Sequence, residues 1–353
     1  MKKAISLFTG AGGMDIGFKK AGFKIILANE LMREASETYS KNNPDTKMIN
    51  DDINNIMSLF NEYNDIDLIF GGPPCQGFSV AGKMDPNDER SKLIFTFLDV
   101  VKVVRPKMFV MENVKALGLL GKWASIRDEY FKKIELIGYH CITVILNATD
   151  FGVSQKRERV FFIGIKKPYL KSFDNDIIEE INKGKKKAIP IKALLKDLGP
   201  AGTEKNPHTC TAKITFATKP IMRNSPYSGM YVNGQGRPIN VDGYANTLPA
   251  SMGGNKTPFV DEEYLYGESN EDWMVAYHKG LLDGKITPTF TEAPKRLRRI
   301  TIKEAMRIQS FPDSYNFYGN TSKIYTQIGN AVPPKLAEAV ATAVYKYLKK
   351  VEE

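Results

Sequence analysis

Short apolar runs alternate with longer amphipathic segments up to about residue 165. The apolar runs are rich in Ile, Val, Leu and Phe and end at Gly, Asn, Asp or Pro, which predicts buried strands. The predicted strands are 3–8, 23–29, 66–70, 107–111, 141–147 and 160–165, and the predicted helices between them are 14–21, 33–41, 93–104 and 130–138. This alternation is typical of an α/β fold with helices on both faces of a parallel sheet.

The pattern changes after about residue 166. Residues 174–182 predict a polar helix, and residues 199–261 are rich in Gly, Pro, Thr and Asn without a sustained period. Helical periodicity returns at 301–309 and 334–350, the second with Leu336, Val340, Val344 and Leu348 on one stripe. We therefore predict a sheet domain at 1–166, a smaller loop-rich domain at 167–295, and a C-terminal segment at 296–353 that returns to the sheet domain.

Composition and charge narrow the class of protein. The 353 residues are 42% hydrophobic and 25% charged, which is typical of a globular protein with a buried core. Fifty Lys and Arg against forty Asp and Glu give a net charge of +10, which favours a polyanionic partner. Neither a membrane span nor a signal peptide is recognisable, so we expect no membrane association and a cytoplasmic location. Three scattered cysteines and three histidines predict neither a disulfide framework nor a metal site.

A glycine-rich turn follows the first predicted strand. Gly10, Gly12 and Gly13 would let the backbone approach a ligand, and Glu30 ends the next predicted strand, where an acid can accept both hydroxyls of a ribose. Asp15 stands where a dinucleotide motif has its third glycine, so a single nucleoside is favoured over a dinucleotide. The alternative is a tight turn without a ligand.

Two further strands end in reactive side chains. Cys75 follows the stiff Pro73-Pro74 turn, where a thiol could act as a nucleophile rather than as a small buried hydrophobe. Glu112 ends a predicted apolar strand, where an enclosed carboxyl could have a raised pKa and donate a proton rather than remain an exposed charge.

Five motifs stand in an order that resembles the cytosine-C5 DNA methyltransferase family. They are Phe-x-Gly-x-Gly-Gly at 8–13, Pro-Pro-Cys-Gln at 73–76, Glu-Asn-Val at 112–114, Gln-x-Arg-x-Arg at 155–159 and Gln-x-Gly-Asn-Ala-Val-Pro at 327–333. Residues 299–304 and 311–313 resemble the family's ninth motif. The resemblance implies a Rossmann-like methyltransferase sheet, a smaller target-recognition domain at 167–295, and S-adenosylmethionine as the cofactor. The cofactor-binding residues that it implies are Phe8, Gly10, Ala11, Gly12, Gly13, Glu30, Asp52, Ile53, Pro73, Leu93, Asn330 and Ala331.

The family's mechanism implies a role for each catalytic residue. Cys75, next to Gln76, would attack cytosine C6, while Glu112 would hold N3 and Arg159 would grip O2. Arg157 would order the loop around them. Residues 76–90 would close over a base rotated out of the duplex.

The implied substrate is double-stranded DNA, in a restriction-modification system with a cognate endonuclease, and we expect a monomer. The predicted DNA contacts are Ser79, Lys83, Arg90, Asn233, Gln235, Arg237, Thr247, Asn255 and Lys256. Residues 295–307 carry six basic side chains and one acid, which predicts a phosphate-binding strip. Three alternatives remain open: a related enzyme acting on tRNA, a nucleotide-dependent oxidoreductase, and a catalytically silent DNA-binding module.

Overall fold

The fold is built around a mixed sheet of seven strands in a computed structural model that describes residues 1–74 and 92–352. The strands are β1 (Lys2–Leu7), β2 (Phe23–Asn29), β3 (Lys47–Ile49), β4 (Leu68–Gly71), β5 (Met108–Val114), β6 (Tyr139–Asn147), β7 (Gln155–Lys156), β8 (Glu158–Lys166), β9 (Phe216–Ile221), β10 (Met230–Val232), β11 (Ala245–Asn246), β12 (Phe259–Asp261) and β13 (Leu297–Arg299). The helices are α1 (Gly13–Lys20), α2 (Arg33–Asn42), α3 (Leu93–Val104), α4 (Lys115–Leu119), α5 (Ala124–Leu136), α6 (Phe173–Lys183), α7 (Ile191–Leu195), α8 (Glu262–Tyr266), α9 (Trp273–Leu282), α10 (Ile302–Ile308), α11 (Thr321–Asn330) and α12 (Pro334–Lys350).

The chain divides into two units. The first comprises Met1–Gly152, Arg157–Lys187 and Val332–Glu353, and the second comprises Val153–Lys156 and Ala188–Ala331. The roles predicted for 1–166, 167–295 and 296–353 stay predictions.

The sheet of the first unit confirms the predicted α/β class. Its strand order is β3-β2-β1-β4-β5-β8-β6, and neighbouring strands from β3 to β5 are parallel. The prediction of an all-parallel sheet is wrong at β8, which runs antiparallel to both β5 and β6. Residues 148–157, between β6 and β8, are too few for a parallel crossover, which needs about a dozen residues or more.

Helices pack on both faces of this sheet. Phe18 of α1 stacks on Phe70 of β4 with ring centroids 4.0 Å apart, whereas Phe97 of α3 meets Phe109 of β5 edge-on at 6.1 Å. Phe109 pairs in register with Ile69, the neighbour of Phe70, so the two contacts lie on opposite faces. The predicted apolar stripe of α12 is fully buried at all four positions.

The second unit contains short strands and its own apolar core. Strands β9 and β10 pair antiparallel, as do β12 and β13. A cluster formed by Phe216, Tyr231, Phe259, Met274 and Leu297, among others, lies between these strands and α9. The sequence predicted no regular elements at 199–261, because strands of two to six residues are too short to produce a period.

Candidate active site

The turn between β1 and α1 has the geometry of a ligand-binding loop. Phe8, Gly10 and Gly12 have φ values of 52°, 56° and 82°, a left-handed region that is unusual for Phe8. The Thr9 N–H donates to the Asn29 carbonyl at 3.0 Å, which ties the turn to β2. A Cβ added at Gly10 would meet no atom within 4 Å, so open space borders the turn where the first amides of α1 begin.

Glu30 is held against this turn. Its Oε2 accepts the Gly10 N–H at 2.8 Å and its Oε1 accepts the Met32 N–H at 2.7 Å. Burial raises the pKa of Glu30, and the backbone N–H donors of Met32 and Gly10 partly oppose that effect. Each carboxylate oxygen can accept more than one hydrogen bond, so Glu30 retains capacity for a ligand's hydroxyl groups.

The other cofactor candidates of this unit lie in different surroundings. Oδ1 of Asp52 accepts the Asn54 N–H at 2.8 Å and so caps the 3-10 helix Ile53–Glu62. The Ile53 side chain is buried in the hydrophobic core, whereas Leu93 starts α3 and packs against that core.

Asp15 lies beside the glycine-rich turn, and the sequence predicts no direct role for it in the site. Its carboxyl is fully buried and accepts hydrogen bonds from the Thr9 hydroxyl at 2.6 Å and the Tyr39 hydroxyl at 3.0 Å. Burial raises the pKa of Asp15, against the lowering effect of these hydroxyls. Asp15 thereby joins the glycine-rich turn to α2. Its only signal in the sequence was the departure from the dinucleotide pattern.

The segment after β4 passes directly beside Glu112. A Cβ added at Gly72 would lie 2.8 Å from Oε2 of Glu112, so glycine permits this approach. The Asn113 side-chain amide donates to the Pro73 carbonyl at 3.2 Å. The turn that leads to Cys75 is therefore fixed against the end of β5.

Glu112 forms a nearly buried ion pair. Nε of Arg159 lies 2.8 Å from Oε1 of Glu112, and their side chains are 13% and 11% exposed. The antiparallel register sets Val114 opposite Arg159. Glu112 lies two residues before Val114 on the same strand, so the side chains of Glu112 and Arg159 project from one face of the sheet. Burial raises the pKa of Glu112, while the charges of Arg159 and the buried Arg157 oppose that rise.

These groups gather at one edge of the sheet. The glycine-rich turn, Glu30, the Gly72-Pro73 turn and Glu112 follow or end β1, β2, β4 and β5, which are consecutive neighbours. Strand order reverses direction between β1 and β4, and ligands of open α/β sheets bind at such a point.

In the second unit, two predicted DNA-contacting turns lie together. A Cβ added at Gly234 would lie 2.2 Å from Cβ of Asn255, and the Gly236 N–H donates to the Asn255 carbonyl at 3.2 Å. All six predicted contacts in this unit are exposed: Asn233, Gln235, Arg237, Thr247, Asn255 and Lys256. Two of them also hold the fold, since the Asn233 amide donates to Thr215 and the Thr247 hydroxyl donates to the Lys156 carbonyl at 2.8 Å.

The predicted phosphate-binding strip at 295–307 is wrong for its four arginines. Arg296 pairs with Asp261 and Glu263, Arg298 with Glu262 and Glu304, and Arg307 with Asp197 and Asp313. The Arg299 side chain is buried, and its Nη1 donates to the Thr257 carbonyl at 2.7 Å. These guanidinium groups cross-link the second unit instead of facing solvent as free charges.

The remaining site predictions concern the end of α11 and residues outside the described part of the chain. Asn330 ends α11, and Ala331 caps it by donating its N–H to the Gln327 carbonyl at 3.2 Å. Cys75, Gln76, Ser79, Lys83 and Arg90 lie outside the described residues.

The family model for C-5 cytosine-specific DNA methylases matches residues 2–346. The chain belongs to this family. A C-5 cytosine-specific DNA methylase acts on DNA, and the matched residues include the motifs at 112–114 and 155–159 that contain Glu112 and Arg159.

Relatives of this DNA methylase align over nearly its whole length. It is 35% identical over 370 residues to the type II methyltransferase M.FnuDI of Fusobacterium nucleatum, covering 99% of this chain and 96% of that protein. It is 33% identical over 358 residues to the type II methyltransferase M.NgoPII of Neisseria gonorrhoeae, with the same coverage. The crystal structure of the S. pombe Dnmt2 methyltransferase shares the fold, with a TM-score of 0.68 and 16% identity over 100% of both chains.

Within residues 1–74 and 92–352 of the DNA methylase, each helix is too short or too polar to cross a bilayer. The same residues contain no group of three or more His, Cys, Asp or Glu side chains that could hold a metal ion.

Proposed function

We propose that this DNA methylase transfers a methyl group from S-adenosylmethionine to C5 of a flipped-out cytosine in a specific duplex sequence. The buried Glu112–Arg159 pair beside the turn that precedes Cys75 carries the proposal. It offers a carboxyl and a guanidinium side by side, which matches the adjacent N3 and O2 atoms of a cytosine edge.

S-adenosylmethionine fits the residues at the first two strand ends. Glu30 presents carboxylate oxygens next to the open space at Gly10, which suits ribose hydroxyls, and Asp52 keeps acceptor capacity for an amino group. When bound, the cofactor supplies the electrophilic methyl group that C5 accepts. Phe8 and the amides of residues 10–13 would enclose its amino-acid part, and Pro73, Leu93, Asn330 and Ala331 complete the proposed set.

The chain's own residues make C5 reactive. The Cys75 thiolate adds to C6 and forms a sulfur–carbon bond, while Glu112 provides a proton or hydrogen bond to N3 that stabilises the electron density displaced from the C5–C6 double bond. Arg159 holds O2. After C5 is methylated, water takes the C5 proton, the C5–C6 double bond re-forms and Cys75 leaves as a thiolate. The raised pKa of Glu112 favours the protonated form that this role needs.

The biological role that we propose is protection of host DNA. The type II methyltransferases named above are its relatives, which supports a restriction-modification system with an endonuclease of the same specificity. We propose a monomer acting on double-stranded DNA, with Asn233, Gln235, Arg237, Thr247, Asn255 and Lys256 at the duplex.

A covalent trap tests the mechanism. Bisulfite sequencing of DNA from cells that express the protein should first give the modified cytosine and its context. A duplex with 5-fluorocytosine at that position should then give a stable adduct, because fluorine at C5 cannot leave as a proton does. Cys75→Ser should abolish the adduct and turnover but keep cofactor binding. An adduct of unchanged yield in that variant would refute the assignment, and methylation of RNA alone would refute the substrate.

A further inference from the structure

Two buried glutamine side chains form a hydrogen-bonded chain in the second unit. Gln155 lies on β7, and Gln309 follows α10; both are 0% exposed. Oε1 of Gln155 accepts the Leu248 N–H at 2.9 Å, and its Nε2 donates to Oε1 of Gln309. Nε2 of Gln309 then donates to the Ala331 carbonyl. We call Gln155 and Gln309 the amide relay.

The direction of the amide relay is fixed at both ends. The Leu248 N–H can only donate, so it must face the oxygen of Gln155 and turn the Gln155 nitrogen toward Gln309. The Ala331 carbonyl can only accept, so it must face the nitrogen of Gln309. Both amides therefore have one satisfied orientation, and a flip of either would bring two donors or two acceptors together. Neither amide can re-pair locally, and hydrogen-bond networks of this kind are one of the structures that carry energetic coupling between distant sites.

The ends of the amide relay coincide with two proposed binding segments. Leu248 follows Thr247, an exposed proposed DNA contact whose hydroxyl bonds the Lys156 carbonyl. Ala331 follows Asn330, and both belong to the proposed cofactor-binding set. Parallel pairing of β7 with β11 also fixes the segment that leads to Thr247.

We propose that the amide relay couples occupancy of the cofactor site to the placement of the DNA-recognition segment at Thr247 and Leu248. Gln155 and Gln309 are positioning residues in this proposal, which rests on the proposed function. Asn330 and Ala331 would be held in place when the cofactor site is occupied, and the hydrogen bonds of the relay would pass that constraint from the Ala331 carbonyl to the Leu248 N–H. By thermodynamic reciprocity, DNA and cofactor must each increase the other's affinity by the same factor.

The test measures binding rather than turnover. Affinity for the duplex identified by bisulfite sequencing is measured by fluorescence anisotropy, with and without S-adenosylhomocysteine. The wild-type protein should bind DNA about fivefold or more tightly with this product present. Gln309→Met and Gln155→Met should reduce that ratio to within about twofold of unity. A wild-type ratio near unity, or an unchanged ratio in both variants, would overturn the proposal.

Glutamate variants add a pH-dependent test of the relay. A protonated carboxyl accepts and donates where the amide does, whereas an ionised one only accepts, so Gln155→Glu and Gln309→Glu keep the relay at low pH and break it when the introduced carboxyl ionises. The coupling ratio of each variant should therefore fall from the wild-type value toward that of the methionine variants as the pH rises. The matched control is Asn206→Leu, which removes a buried amide bond to the Gly199 carbonyl at 2.8 Å outside the relay and should retain the wild-type ratio.

A measurement on the wild-type protein decides the matter if the variants do not fold. Hydrogen exchange of the 245–250 segment should slow when S-adenosylhomocysteine binds, because the Leu248 N–H is the donor at the far end of the relay. Unchanged exchange there, with protection confined to the cofactor segments, would refute coupling through the relay. Methylation by the wild type is measured separately, so loss of the proposed function and loss of coupling are distinguishable.

Discussion

Nε of Arg159 lies 2.8 Å from Oε1 of Glu112 across two antiparallel strands, and both side chains are nearly buried. The guanidinium opposes the effect of burial, which raises the pKa of Glu112. If the protonated carboxyl serves cytosine N3, activity must be lost as the pH rises through that raised pKa. Arg159 therefore limits how far the active range extends toward alkaline pH.

We predict that Glu112→Gln lowers kcat about a hundredfold or more and removes the alkaline limb of the pH–rate profile. Arg159→Met should lower kcat/KM for DNA and move that limb to higher pH, because the positive charge that lowers the pKa of Glu112 is gone. Rates are measured with tritiated cofactor across the pH range. If the alkaline limb is unchanged in both variants, a group other than Glu112 is responsible for it.

Glu30 should make the affinity for the cofactor depend on pH. Burial raises its pKa, and only the ionised form accepts both ribose hydroxyls and the two backbone N–H groups. Affinity for S-adenosylmethionine should therefore fall as the pH drops through the raised pKa. Glu30→Gln should weaken binding about tenfold or more and abolish this pH dependence.

Calorimetric titration of the cofactor between about pH 5 and about pH 8 checks the prediction. Glu62→Gln, an exposed acid of the same unit at the end of the 3-10 helix, is the matched control and should bind cofactor like the wild type. Equal weakening of DNA and cofactor binding by Glu30→Gln would argue against the ribose assignment.

The sequence was sufficient for features that depend on local pattern. Alternating apolar runs predicted the strands that bear the glycine-rich turn, Glu30 and Glu112, and the stripe of α12 was predicted residue by residue. The antiparallel β8 was not predictable in the same way, because strand direction depends on what a connection can span in three dimensions. The contact between Glu112 and Arg159 depends on that same strand pairing.

Charge in the sequence was a poor guide to exposed charge. Residues 295–307 look like a basic strip, yet the partner of Arg307 at Asp197 is 110 positions away, and Arg298 folds back onto Glu304. Gln309 carried no signal, since a single glutamine at a helix end has no periodicity and no charge. The role that we propose for Gln309 depends on its hydrogen bonds to Gln155 and Ala331, which are close to it only in the folded chain.

The buried Asp15 carboxyl should make the free energy of unfolding depend on pH. Because its pKa is raised in the folded protein, Asp15 stabilises the fold while its carboxyl is protonated. This contribution is complete below pH 3.8, the ordinary pKa of an aspartate, and is lost as the pH rises through the raised pKa. The free energy of unfolding of the wild type should therefore decline over that window. Asp15→Asn, which stays uncharged, should remove this part of the decline.

Urea unfolding at several pH values measures the effect, with Asp128→Asn as the control for an exposed acid of the same unit. A decline of the same size in Asp15→Asn and in the wild type would show that another group titrates. The variant keeps an acceptor for the Thr9 hydroxyl, so cofactor affinity should fall by no more than about threefold.

The two turns that we propose for DNA contact, 233–237 and 251–256, meet where only glycine fits. A Cβ at Gly236 would lie 2.1 Å from Nη1 of Arg299 and 2.5 Å from the Thr257 carbonyl oxygen. Gly236→Ala must therefore displace a buried guanidinium or a backbone carbonyl and separate the turns that carry Arg237 and Asn255. We predict a loss of DNA affinity of about tenfold or more with unchanged cofactor affinity.

Gly254→Ala is the local control, because a Cβ there would meet no atom within 4 Å. It should keep both affinities within about twofold of the wild-type values. Arg299→Met should resemble Gly236→Ala, since it removes the bond to the Thr257 carbonyl that holds the two turns in place. If Gly236→Ala and Gly254→Ala weaken DNA binding equally, the turns act through flexibility rather than through their packing. If neither does, the duplex is read elsewhere in the second unit.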